Sequence, residues 1–71
     1  PNPTTGHTLI TVPQSATFTL SNNQGQLVYS SNLIAGENTL ELPLYLPDAL
    51  YFYSVMTEGY AKASGRLILS R

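Results

Sequence analysis

Five glycines and five prolines are scattered from Pro1 to Gly65, and no interval between them is long enough for an extended helix. Proline removes a backbone donor and fixes φ, while an internal glycine weakens a helix through its conformational freedom. Between these breaks the apolar residues alternate with a period of two, the spacing of a half-buried strand. Ala16, Phe18 and Leu20 fall on one face, with Thr17, Thr19 and Ser21 on the other. Such a chain is confined to short strands joined by tight turns.

A first strand is predicted over residues 8–12, closed by Pro13. Residues 16–21 lead into Asn22-Asn23-Gln24-Gly25, which tolerate positive φ, and the chain returns over residues 26–30 as a hairpin. Residues 38–42 alternate again, with Leu40 and Leu42 inward, Thr39 and Glu41 outward, and Pro43 as the stop. Pro43 and Pro47 leave residues 44–49 little room for ladder hydrogen bonds, so that segment reads as a connection. Residues 50–57 are aromatic and β-branched on both faces, as expected of a central strand. Glu58-Gly59 turns the chain back into residues 60–70, with a bulge expected near Gly65. Six or seven short, mainly antiparallel strands at this spacing predict an all-β fold, a small Ig-like β-sandwich.

Composition narrows the function. At 71 residues the core is thin, and a stability on the order of 3–5 kcal/mol is expected. A chain 42% hydrophobic and 10% charged is too apolar to be a disordered tail. Three Lys and Arg residues in a chain of net charge −1 cannot compete with salt for phosphates, which argues against nucleic acid. Cysteine is missing, so neither a disulfide nor a thiolate metal site is expected. No run approaches the roughly 18 apolar residues of a transmembrane segment. Pro1 follows no initiator Met or signal peptide, and the chain reads as a piece of a longer protein.

The residues that carry chemistry are few. His7 is the one histidine, in a turn-rich stretch where it reads as an exposed loop residue. Catalysis by nucleophile and base needs a hydroxyl or thiol, a base and a group to orient it, and no such trio is suggested. Glu37, Glu41, Asp48 and Glu58 are scattered, and so thin a domain has little material for the cleft that a glycosidase pair requires. Tyr29, Tyr45, Tyr51, Tyr53 and Tyr60 leave two readings open: an exposed strip that stacks on sugar rings, or packing with the hydroxyl at the surface.

Several short motifs nevertheless fall in a distinctive order. Pro1-Asn2-Pro3-Thr4-Thr5-Gly6 is followed by a strand, by Asn23-Gln24-Gly25-Gln26-Leu27-Val28, and by Asn38-Thr39-Leu40-Glu41-Leu42. Leu50-Tyr51-Phe52-Tyr53-Ser54-Val55 and the terminal Gly65-Arg66-Leu67-Ile68-Leu69-Ser70-Arg71 complete the series. Over its full length the chain resembles the C-terminal sorting domain of the type IX secretion system, of type A. Two positions depart from the family pattern. Ala49 stands where a glycine usually precedes the aromatic strand, and Gln26 where a cation usually follows the turn glycine.

The resemblance implies a single domain over residues 1–71, a folded export address rather than a catalyst, with no cofactor. Family members ride at the C-terminus of large secreted proteins of certain Gram-negative bacteria. The implied partners are the outer-membrane translocon, a sortase-like peptidase and a cargo domain N-terminal to Pro1, and the implied destination is the cell surface or medium. The motif residues Pro1, Asn2, Pro3, Gly6, Gly25 and Tyr51 read as structural: stiff extended backbone, positive φ and core packing. Partner recognition is expected of the terminal run, Lys62, Arg66, Leu67, Ile68, Leu69 and Arg71, whose other reading is a plain last strand with solvated cations. An unpaired edge strand would also be open to a second copy or to the translocon. The rival reading is an Ig-like accessory module that binds glycan or spaces catalytic domains.

Overall fold

The computed structural model describes residues 5–57 and 60–71, without the side chains of residues 60–62. Six strands are present among them: β1 (His7–Val12), β2 (Ala16–Ser21), β3 (Leu27–Leu33), β4 (Gly36–Glu41), β5 (Ala49–Thr57) and β6 (Tyr60–Leu69). They form two antiparallel sheets, a pair β1-β4 and a four-stranded sheet of order β3-β2-β5-β6. The predicted all-β sandwich is the fold observed, and β5 is an interior strand of the larger sheet.

Alternation in β2 does what its sequence promised. Phe18 and Leu20 are 1% and 0% exposed, while Thr17, Thr19 and Ser21 lie on the outer side, only partly covered. Val12, Leu40 and Leu42 close the core from the smaller sheet, and Tyr51, Val55, Leu67 and Leu69 from the larger. Phe18 is flanked by two tyrosines: Tyr53 stacks on it at 6.2 Å with 15° between the planes, and Tyr29 meets it edge-on at 6.2 Å. Burying each such side chain contributes roughly 1.5–3 kcal/mol, so a handful of them dominates a body this small.

The hairpin between β2 and β3 is built by Asn22. Its Oδ1 accepts the Gln24 and Gln26 backbone N–H groups at 2.9 and 3.0 Å, and Gly25 follows at φ +82°. Gln26 gives its side chain to the same turn, accepting a hydrogen bond from Asn22 Nδ2 at 3.0 Å. The amide at this position thus closes the loop locally, a task a lysine or arginine could not perform.

Three expectations need correction. β3 runs on to Leu33, three residues beyond residue 30, because Leu33 pairs with Ala16 and enters the core. His7 is not in a loop: it begins β1, directly opposite Glu41 on β4. The bulge is in β6 at Lys62, opposite the step from Val55 to Met56 of β5, and not at Gly65, since Val55 pairs with Ala63 and Met56 with Ala61. Gly65 has another reason to be glycine. A Cβ there would stand 3.0 Å from the Tyr53 ring and push the phenol by a few tenths of an ångström, so the bare backbone of Gly65 lets Tyr53 lie undisturbed beside Phe18. Pro1, Asn2, Pro3 and the expected Glu58-Gly59 turn lie outside the described residues.

Candidate functional site

One end of the sandwich gathers residues from the beginning, middle and end of the chain. After β4, Leu42 donates its N–H to the Gly6 carbonyl at 2.8 Å. Pro43-Leu44-Tyr45-Leu46 then makes a β-turn closed by Leu46 N–H to the Pro43 carbonyl at 3.2 Å. Leu42 and Leu46 are buried on either side of the turn, whereas Leu44 and Tyr45 at its tip are 89% and 76% exposed. Beyond the turn, the Tyr51 hydroxyl donates to the Pro47 carbonyl at 2.5 Å.

Arg71 ties this end together. Its Nη1 donates to the Leu46 carbonyl at 2.6 Å and its Nη2 to the Pro43 carbonyl at 2.8 Å, so one planar guanidinium holds both ends of the turn. Asp48 completes the arrangement. Its Oδ2 accepts the Arg71 backbone N–H at 3.1 Å, and its Oδ1 lies 3.7 Å from Nη1. Gly6 adopts φ +110° beside the same guanidinium, a conformation that L side chains rarely take. A Cβ on Gly6 would come within 3.6 Å of Arg71 Nε. Burial raises the Tyr51 phenol pKa, the nearby Arg71 charge lowers it and Asp48 raises it, with a net upward direction.

The structure therefore brings Gly6, Tyr51 and Arg71 together and adds Pro43, Leu46 and Asp48, which sequence reasoning missed. The signal was the pair of prolines in a connection carrying no charge until Asp48. An arginine at the end of a strand needs acceptors, and the turn carbonyls, each with two lone pairs, supply them. The terminal run itself divides by strand alternation. Leu67 and Leu69 are buried in the core, while Arg66 and Ile68 lie on the outer face of the large sheet beside exposed Leu50 and Phe52. The side chain of Lys62 lies outside the described residues, and Gly25 belongs to the β2–β3 hairpin and not to the contacts around Arg71.

The chemistry-bearing residues do not converge. His7 Nδ1 lies 3.3 Å from Glu41 Oε1, with both side chains about 70% exposed to solvent, and a pair so solvated adds little to stability. Among the described residues no three His, Asp or Glu side chains gather as metal ligands would. The described tyrosines form no exposed strip: Tyr51 is buried, Tyr29 and Tyr53 pack on the core, and Tyr45 stands at the turn tip.

Against this geometry the comparison with known families is decisive. The model of a family described as "Secretion system C-terminal sorting domain" matches residues 1–70. The chain belongs to this family. It is a C-terminal sorting signal for type IX secretion, and such a domain implies interaction with the secretion system and export through the outer membrane to the cell surface or medium. Sorting domains of this kind are typically non-catalytic. No curated protein and no solved structure is similar enough to add to this match. Among the described residues no helix is long and apolar enough to cross a membrane.

Proposed function

We propose that residues 1–71 are the single, non-catalytic sorting domain of a larger secreted protein, with the cargo N-terminal to Pro1. The outer-membrane translocon reads the folded surface of the domain, and a sortase-like peptidase then separates address from cargo. The family match over residues 1–70 carries this reading. The physical character of the domain agrees with it. An address read from its surface must hold its shape, and this body has a core closed by both sheets. Among the described residues no buried side-chain nitrogen or oxygen lacks a hydrogen-bond partner. Recognition is assigned to exposed groups. Arg66 and Ile68 of the terminal run stand on the outer face, whereas Leu67 and Leu69 serve recognition only by holding β6 in place.

The test is a fusion of residues 1–71 to the C-terminus of a periplasmic reporter, in a host that has this secretion pathway. The reporter is expected at the cell surface or in the medium. Retention in the periplasm by a fusion whose domain is folded would contradict the proposal.

A further inference from the structure

The turn after β4 breaks the usual chemistry of its position. Turn tips favour Gly, Asn, Asp, Ser and Pro, whose backbones or short polar side chains suit the geometry and the solvent. Here the two central positions are Leu44 and Tyr45, adjacent and almost fully exposed. Isolated exposed apolar residues are ordinary, but a contiguous aliphatic and aromatic pair on a convex tip is an interaction feature. The tip is also held rigid. Arg71 spans the Pro43 and Leu46 carbonyls, Leu42 and Leu46 anchor both ends in the core, and Tyr51 fixes Pro47 just beyond. Rigid display of an aromatic anchor lowers the ordering cost of binding.

We propose that Leu44 and Tyr45 form a preorganised knob that inserts into an apolar cavity on a protein of the export machinery, and that Arg71 is the positioning residue that presents it. The proposal rests on the sorting reading and deepens it by naming the contact. Three observations choose this occupant. A knob is convex, so its complement is a hollow lined by apolar groups, with an acceptor or water for the phenol. A lipid surface is disfavoured by charge: membrane binding through so few apolar groups needs added cations, and the cation at this end, Arg71, is engaged by two carbonyls and Asp48. A second copy meeting tip to tip is disfavoured by shape, because two convex tips offer each other no hollow and only about 300 Å² of flat contact, whereas a hollow closes around the tip from all sides.

Arg71 thereby acts through the turn. Its guanidinium faces the turn carbonyls, and its loss frees Leu44 and Tyr45 without removing either.

The experiment compares reporter fusions carrying the wild-type domain, the double variant Leu44→Ser/Tyr45→Ser, Arg71→Ala, Arg71→Lys, and Leu27→Ser as an apolar control elsewhere, itself 62% exposed. Melting temperature is measured on each purified domain. The double variant is expected to keep its melting temperature within about 3 °C, since it loses no burial. Its export should nevertheless fall about tenfold or more, the effect of losing roughly 1.4 kcal/mol of binding. Arg71→Ala should fall similarly, Arg71→Lys by less, and Leu27→Ser should export as wild type. Wild-type export by the double variant, or an equal loss in Leu27→Ser, would overturn the knob. So would binding of the wild-type domain, but not the double variant, to phosphatidylethanolamine–phosphatidylglycerol vesicles or to itself in sedimentation velocity. Retention of the wild-type fusion would instead overturn the sorting reading on which the knob rests.

Discussion

Tyr51 shows how much one side chain does here. Its ring is buried in the core at 2% exposure, and its hydroxyl reaches the rim to fix the Pro47 carbonyl. Burial disfavours the phenolate, so its pKa is raised above the ordinary value of about 10. An unfolded chain gives up that proton first, and the folded state therefore binds more protons in the window between the ordinary and the raised value. Stability from this residue is fully present below about pH 10 and is lost as pH climbs through the raised value. Tyr51→Phe should thus cost about 1 kcal/mol at neutral pH, through the lost hydrogen bond. The same variant should flatten the alkaline decline in melting temperature above about pH 10. Melting curves from pH 7 to 11 on both proteins check the pair of effects; a parallel decline in the two would contradict it. Sequence alone indicated that Tyr51 is buried. It did not indicate the rim contact, because Pro47 is brought to the hydroxyl by the turn and not by the strand pattern.

At the scale of elements, the strands follow from local alternation and the connections do not. Ala16, Phe18 and Leu20 announce β2 because a period of two has one reading, and β5 is marked by aromatic residues on both faces. Gly65 suggested a bulge since glycine weakens a strand, but its true cause is the Tyr53 ring opposite, a contact visible only once the register of β5 and β6 is known. Asn38 is a further case. It lies in β4, yet its Oδ1 accepts the Ile34 N–H at 3.0 Å. Its Nδ2 donates to the Ile34 carbonyl at 2.9 Å and to those of Gly36 and Ile10 at 3.2 and 3.4 Å. One amide thereby shapes the crossover from β3 to β4 and joins it to β1. Asn38→Ala should cost about 1 kcal/mol, because several hydrogen bonds are lost together although the exposed groups among them can turn to water. Chemical denaturation measures this, and a change below about 0.5 kcal/mol, the range of an ordinary surface substitution, would contradict it. The last element carries a practical lesson. Deleting residues 67–71 removes Leu67 and Leu69 from the core along with Arg71, so such a truncation cannot separate folding from recognition.

For the whole molecule, the fold and the family were both legible before any coordinates, because strand periodicity and the order of short motifs are written along the chain. The candidate site was only half legible. Gly6, Tyr51 and Arg71 lie 65 residues apart at their extremes, and their meeting depends on β1 pairing with β4 and β6 with β5. If the export address is the folded sandwich and not a stretch of sequence, a domain that cannot fold should not be exported. Phe18 tests it well, because it is fully buried, takes no part in the hydrogen bonds around Arg71 and holds the core between Tyr29 and Tyr53. Phe18→Ala should cost about 3–5 kcal/mol, comparable to the whole stability of a domain this size. The decisive measurement is the fraction of full-length reporter outside the cell for the Phe18→Ala fusion, beside the circular dichroism of the same domain. An unfolded domain and a reporter held in the periplasm are expected; wild-type export of a reporter attached to an unfolded domain would show that the fold is not what is read.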